Sequence, residues 1–206
     1  RLIDGLVATV GALIGIGLTG LVCSAAADMG GNWPLLVAPM GASAVLLFAV
    51  PASPLAQPWP VIGGNGLSAL AGLTVAWLVP DATVAAAVAV AVAIGLMSLL
   101  RCLHPPGGAV ALTAALGGPA VAAYGWLFPL LPVAVNSAVI VAIAIGFHRF
   151  TRHSYPHVAQ PALATTHGTA DPPPQERNNR LREDIDAVLE EMGEAFDIER
   201  EDLDRL

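Results

Sequence analysis

The chain contains no lysine, and only 12% of its 206 residues are charged, where a soluble domain carries about 25%. Charge is scarcest early. Ahead of His148 stand only Arg1, Asp4, Asp28, Asp81 and Arg101, whereas thirteen of the sixteen acids follow Ala170. The net charge of −7 therefore belongs to the C-terminal stretch and says nothing about a substrate. No basic face exists for a nucleic acid, so no nucleic-acid partner is expected. Cysteine is nearly absent. Cys23 and Cys102 both lie in apolar runs and read as small buried hydrophobes, not as a disulfide or a metal pair. H-E-x-x-H, G-x-S-x-G and a glycine-rich phosphate loop with its lysine are all missing. His148, His153, His157 and His167 are too irregularly spaced for a metal site. The sequence thus predicts no enzyme, no cofactor and no metal.

Apolar runs fill the space that charge leaves: 55% of the chain is hydrophobic. Runs of about 18 or more apolar residues with few charges span a bilayer, so lipid is the first expected partner. The chain begins on Arg1 instead of Met, which suggests a trimmed start, and its first run is too long for a secretory signal and lacks a cleavage pattern. That run covers about 2–27, with Gly11, Gly15, Gly17 and Gly20 at spacings that let another helix come close. A shorter segment, 35–50, is interrupted at Pro39 and Gly41. Long runs follow at 61–79 and 82–103, then a short one at 105–116 and a last long one at 124–147. Trp33, Trp59, Trp77 and Trp126 fall near run ends, as amphipathic rings do at a membrane interface.

The stretch His104-Pro105-Pro106-Gly107-Gly108 divides two of these runs. A proline lacks an N–H and clashes inside a helix but suits its first position. One helix should therefore stop here and another start. Ala38-Pro39-Met40-Gly41-Ala42-Ser43 aligns with His104-Pro105-Pro106-Gly107-Gly108-Ala109, and Asn65 and Asn136 fall at comparable places in the segments that follow. The predicted fold is an all-α polytopic membrane bundle of two repeats, each a long span, a short broken helix and a long span. Paired interrupted segments in two halves are the best sequence pointer to a transporter site. With six crossings, Arg1, Arg101, Arg149 and Arg152 share one side and Asp28 and Asp81 the other, as the positive-inside rule asks. With four crossings and two re-entrant segments Arg101 changes side, and both counts stay open.

A helix start offers unpaired backbone N–H groups and a partial positive charge, which together suit an anion. The expected binding residues are His104, Pro105, Gly107 and Gly108 in one half and Pro39, Gly41 and Ser43 in the other. The glycines admit a ligand to the backbone, His104 adds a titratable donor, Arg101 a fixed positive charge, and Asn65 and Asn136 neutral amides. Each has a plainer role too: a helix cap, an interface anchor or a helix-to-helix hydrogen bond.

L-H-P-P-G-G-A at 103–109, A-P-M-G-A-S-A-V-L-L-F-A-V-P-A-S-P-L-A-Q-P at 38–58 and V-I-G-G-N at 61–65 resemble the integral membrane HPP family over about residues 2–150. That resemblance implies a membrane domain usually described with four spans, a transporter-like role and, in some photosynthetic lineages, nitrite transport. Related bacterial chains carry a tail ahead of paired regulatory CBS modules, and 197–204 resemble the lead-in to that part. The expected organisation is a transmembrane domain at 1–150, a proline-rich flexible linker at 151–179 and an acidic amphipathic cytoplasmic helix at 180–206. Leu181, Ile185, Val188, Leu189, Met192 and Phe196 recur there at helical spacing. The expected function is transport of a small inorganic anion by a homo-oligomer in the inner (plasma) membrane. The alternative is a sensor or anchor that signals through its tail.

Overall fold

The computed structural model describes residues 2–28, 36–151 and 153–157. The predicted tail helix at 180–206 and most of the linker lie outside them, as do Trp33, Arg1 and Arg152. Among the described residues every regular element is helical. The helices are α1 (Leu2–Asp28), α2 (Met40–Ala49), α3 (Asn65–Leu78), α4 (Ala82–Leu99), α5 (Pro106–Leu116), α6 (Pro119–Tyr124) and α7 (Val135–His148). A wider π turn runs straight into α3 at Pro60–Gly64, and another into α7 at Pro129–Ala134. Each π turn starts at a proline, whose missing N–H leaves the ladder locally open.

Four helical stretches are long and apolar enough to cross a bilayer: Leu2–Ala25, Pro60–Leu78, Ala82–Leu99 and Pro129–His148. The chain is thus a polytopic helical membrane protein. The remaining two segments explain why four and six were both readable. α2 has 10 residues, a length of about 15 Å, half of a hydrocarbon core about 30 Å thick. α5 is bent by 73° from the α6 stretch that follows.

Local sequence sets the ends. The Asp81 carboxylate accepts the N–H of Val84 at 2.9 Å and caps α4. At the other end Arg101 takes a left-handed φ of 53°, and the N–H of Cys102 returns to the carbonyl of Met97 at 2.8 Å. A helix stop of this kind usually employs glycine.

The two predicted repeats interlock. Each short helix packs between the first span of its own half and the last span of the other: α5 against α4 and α3, α2 against α1 and α7. Small residues make the contacts close. Gly64, Ser68 and Gly72 face α5 and its lead-in at successive turns. A Cβ at Gly64 would stand 2.6 Å from the Cys102 carbonyl, and one at Gly72 would collide with the Ala111 carbonyl. Gly11 and Gly15, whose spacing was expected to let another helix come close, admit α2: its Phe48 ring lies where their side chains would be. Around these seams Met40, Leu47, Phe48, Val110, Phe128, Val133 and Ile140 form the main core.

Long-range hydrogen bonds fix which ends share a face. Trp59 Nε1 donates to the Leu100 carbonyl at 3.2 Å, His148 Nε2 meets the Leu47 carbonyl at 2.8 Å, and the Tyr155 hydroxyl donates to the Ala56 carbonyl at 2.8 Å. The C-terminal ends of α2, α4 and α7 therefore lie together, with the beginning of α1 beside them at a groove of Ile3, Leu6, Val7, Val10, Phe147 and Phe150. Arg101 and Arg149 share this face. Asp81 stands at the opposite one, the 18 residues of α4 away. Each half accordingly contributes two long apolar stretches and one short helix between them.

Candidate functional site

The structure joins the two short helices through side chains. Ser43, in the first turn of α2, and His104, just ahead of α5, are both fully buried. The Ser43 hydroxyl lies 2.9 Å from His104 Nε2. On its other side His104 Nδ1 stands 2.8 Å from the Leu55 carbonyl. A carbonyl only accepts, so Nδ1 carries the proton and donates. In the neutral ring Nε2 is then the acceptor, and the Ser43 hydroxyl donates to it.

Asn65 continues the chain of bonds. Its Nδ2 donates to Ser137 Oγ at 3.1 Å and to Ser43 Oγ at 3.4 Å. Ser137 Oγ in turn points to Met40 Sδ at 3.8 Å. Asn65 Oδ1 has no hydrogen-bond partner among the described residues, although Asn65 is fully buried. Leaving a buried acceptor unpaired costs about 1–3 kcal/mol, and such an atom calls for an explanation. The cluster draws on both halves: Ser43 and Asn65 from the first, His104 and Ser137 from the second.

Other predicted site residues occupy different places. Asn136 sits next to Ser137 but faces elsewhere. Its Oδ1 accepts the backbone N–H of Val37 at 3.1 Å, which holds the lead-in to α2, and its Nδ2 donates to Cys23 Sγ at 3.5 Å. Arg101 is exposed at the end of α4, outside the cluster. Gly107 is buried against Ser68 and Met97, so the room its missing side chain leaves is taken by α3 and α4. Pro39 is buried, while Gly41 and Pro105 are exposed.

The first-turn donors, expected to be free for an anion, are already engaged. The N–H of Gly107 bonds the His104 carbonyl at 2.8 Å and that of Gly108 the Pro105 carbonyl at 3.0 Å. In α2 the N–H groups of Met40, Gly41 and Ser43 reach Val37, Ala38 and Pro39 at 3.0, 3.1 and 3.2 Å. Each proline starts a tight turn that closes on itself, so the free polar capacity lies in side chains.

Three contributors escaped sequence reasoning. Ser137 was detectable as half of the adjacent polar pair Asn136-Ser137 in an apolar run. Leu55 acts through its backbone and leaves no trace in residue type. Tyr155 belongs to residues read as linker, yet it anchors them. Its ring is buried and its hydroxyl holds the Ala56 carbonyl, next to Leu55. Burial raises the phenol above its ordinary pKa and keeps it a donor. Gln57 steadies the same loop, donating to the carbonyls of Pro51 and Ser53 at 3.0 and 2.8 Å and accepting the N–H of His157 at 2.9 Å.

No solved structure matches this chain. Two transmembrane proteins of Dictyostelium discoideum are similar to it. One is 39% identical over 127 residues, covering 59% of this chain and 44% of the relative. The other is 37% identical over 126 residues, covering 59% and 40%. The chain thus spans less than half the length of these relatives. The model of the HPP transmembrane region matches residues 1–156, a range that takes in the paired short helices, the buried cluster and Tyr155. The chain belongs to the HPP transmembrane family.

Proposed function

We propose that the protein is a transporter or channel for a small inorganic anion, with nitrite the first substrate to try. Its site is the buried cluster of His104, Ser43, Asn65 and Ser137. One observation carries the choice of site: the fully buried amide of Asn65, where side chains of both halves meet, has an acceptor atom without a partner among the described residues. Polar groups inside a membrane are costly and mark substrate paths, and sites at the interface of inverted repeats are where transporters bind. The cluster is uncharged and built of neutral hydroxyl, amide and imidazole groups. It suits a small solute with few hydrogen-bonding atoms. By the positive-inside rule the face bearing Arg101 and Arg149 is cytoplasmic, which would place the C-terminal tail in the cytoplasm of a cell with this protein in its plasma membrane.

Purified protein in liposomes provides the test. Wild-type protein should take up nitrite faster than protein-free vesicles, and Asn65→Leu and Ser43→Ala should lose most of that uptake. Equal uptake by wild type and both variants would remove the cluster from the path. A panel of small anions with no uptake at all would favour the sensor or anchor reading instead.

A further inference from the structure

We propose that transport is coupled to protons through His104, whose protonation turns the Asn65 amide and so creates the anion site. The inference rests on the function proposed above and adds the coupling ion to it.

The argument follows the direction of each hydrogen bond. In the observed arrangement every proton between His104 and Ser137 has one place to go. Nδ1–H donates to the Leu55 carbonyl, the Ser43 hydroxyl donates to Nε2, and the Asn65 amide donates to the oxygens of Ser43 and Ser137. A second proton on His104 must sit on Nε2 and point at Ser43 Oγ. That oxygen then accepts from the ring, and its own hydrogen, released from Nε2, becomes available to donate toward Asn65. The amide Nδ2 offers it only hydrogens.

Rotating the amide by half a turn resolves the conflict. Oδ1 comes to face Ser43 and Ser137, both of which can donate. The two N–H bonds of Nδ2 then point to the place where Oδ1 now stands without a partner. One added proton thus converts an orphan acceptor into a pair of buried donors beside an imidazolium. That is an anion site, and an anion entering it restores neutrality in an apolar interior where an isolated charge is very costly.

Among the described residues, Arg101 lies three positions before His104 but is exposed and outside the cluster. The groups at the His104 nitrogens are the Leu55 carbonyl and the Ser43 hydroxyl. Gly64, the last residue of the π turn ahead of α3, packs against the His104 Cβ. The nearest titratable groups in sequence or along the loop are the buried thiol of Cys102 and the phenol of Tyr155, both neutral near pH 7. The hydrogen-bond partners described for His104, Ser43, Asn65 and Ser137 are all uncharged, and an anion bound there would supply the counter-charge.

Liposomes containing the full chain and an entrapped pH-sensitive dye read anion and proton together. Nitrate is the better probe, because it cannot carry a proton itself at neutral pH; nitrite is run beside it. With membrane potential clamped, an inward proton gradient should drive nitrate or nitrite accumulation, and the lumen should acidify by about one proton per anion, since each favours the other's binding. His104→Gln, which cannot titrate, should abolish both the acidification and the gradient-driven accumulation. Should that variant not fold, Ser43→Ala removes the relaying hydroxyl and should show the same loss. Anion uptake in wild type without matching acidification, or coupling that survives in the folded variant, would overturn proton coupling and leave anion transport standing. Absence of uptake for either anion would overturn both.

Discussion

Ser43 and His104 stand 61 positions apart, and their side chains meet at 2.9 Å with no solvent access. This single contact ties the beginning of one short helix to the lead-in of the other. It also sets the direction of the bonds around it, because the Leu55 carbonyl fixes which imidazole nitrogen is the acceptor.

Truncating His104 should therefore cost both stability and function. His104→Ala leaves the Ser43 hydroxyl and the Leu55 carbonyl without their ring partner and opens a void. Thermal unfolding in detergent should show a loss of about 2–4 kcal/mol. Anion flux in liposomes should fall to the protein-free level.

Neighbouring glycines should behave oppositely. A Cβ at Gly107 would stand 2.7 Å from Ser68 Oγ, 2.9 Å from Met97 Sδ and 3.2 Å from the Gly64 carbonyl, whereas one at Gly108 meets nothing within 4 Å. Gly107→Ala should lower stability by about 1–3 kcal/mol through overpacking. Gly108→Ala should leave it unchanged or raise it by up to about 1 kcal/mol, as a helical glycine replaced by alanine does. Paired melting curves would decide. Equal effects would mean that α3 and α5 are not pressed together at Gly107.

The two asparagines should separate stability from transport. Asn136 secures the N–H of Val37, so Asn136→Leu should destabilise by about 1–3 kcal/mol because that buried donor is stranded. Asn65 already carries an unpaired atom. Asn65→Leu should cost less stability and eliminate flux. Unfolding and flux measured on the same preparations test the contrast.

Removing the Tyr155 hydroxyl should reach the site through the loop. Tyr155→Phe keeps the buried ring and frees the Ala56 carbonyl, one residue from Leu55. Nitrogen NMR of labelled histidine should show the His104 ring passing from one Nδ1–H tautomer to a mixture. Flux should fall about threefold to tenfold, the equivalent of one hydrogen bond. Trp59→Phe breaks a bond on the same face but leads to Leu100, and should leave the His104 signal in place.

Arg101 should prove dispensable for the buried chemistry. It is exposed with a left-handed φ of 53°, a conformation that is strained for any residue bearing a Cβ. Arg101→Gly should raise stability by about 0.5–1 kcal/mol and preserve the anion-to-proton ratio. A changed ratio would return Arg101 to the site.

Much of this architecture is legible in the amino-acid order. Long apolar runs with almost no charge dictate membrane spans, because a bilayer core accepts no unpaired backbone and few ionised groups. Prolines at 39 and 105 dictate where helices must start, and their matching contexts disclose the repeat. Arginine placement left four and six crossings both readable, and the hydrogen bonds from Tyr155, His148 and Trp59 gather the ends of α2, α4 and α7 on one face. Only tertiary structure decided what the helix starts do. Their backbone donors close on the preceding carbonyls within one turn, which sequence spacing cannot show. Only the fold brings Ser43, Asn65, His104 and Ser137 to one point, since their separations in the chain follow no helical period. The spacing of Gly64, Ser68 and Gly72 was visible, but which helix presses against it was not. Contact between distant segments depends on how side-chain volumes pack across the whole bundle. Sequence thus determined the segments and the pairing of the two halves. The packed structure decided which polar groups meet and which one is left without a partner.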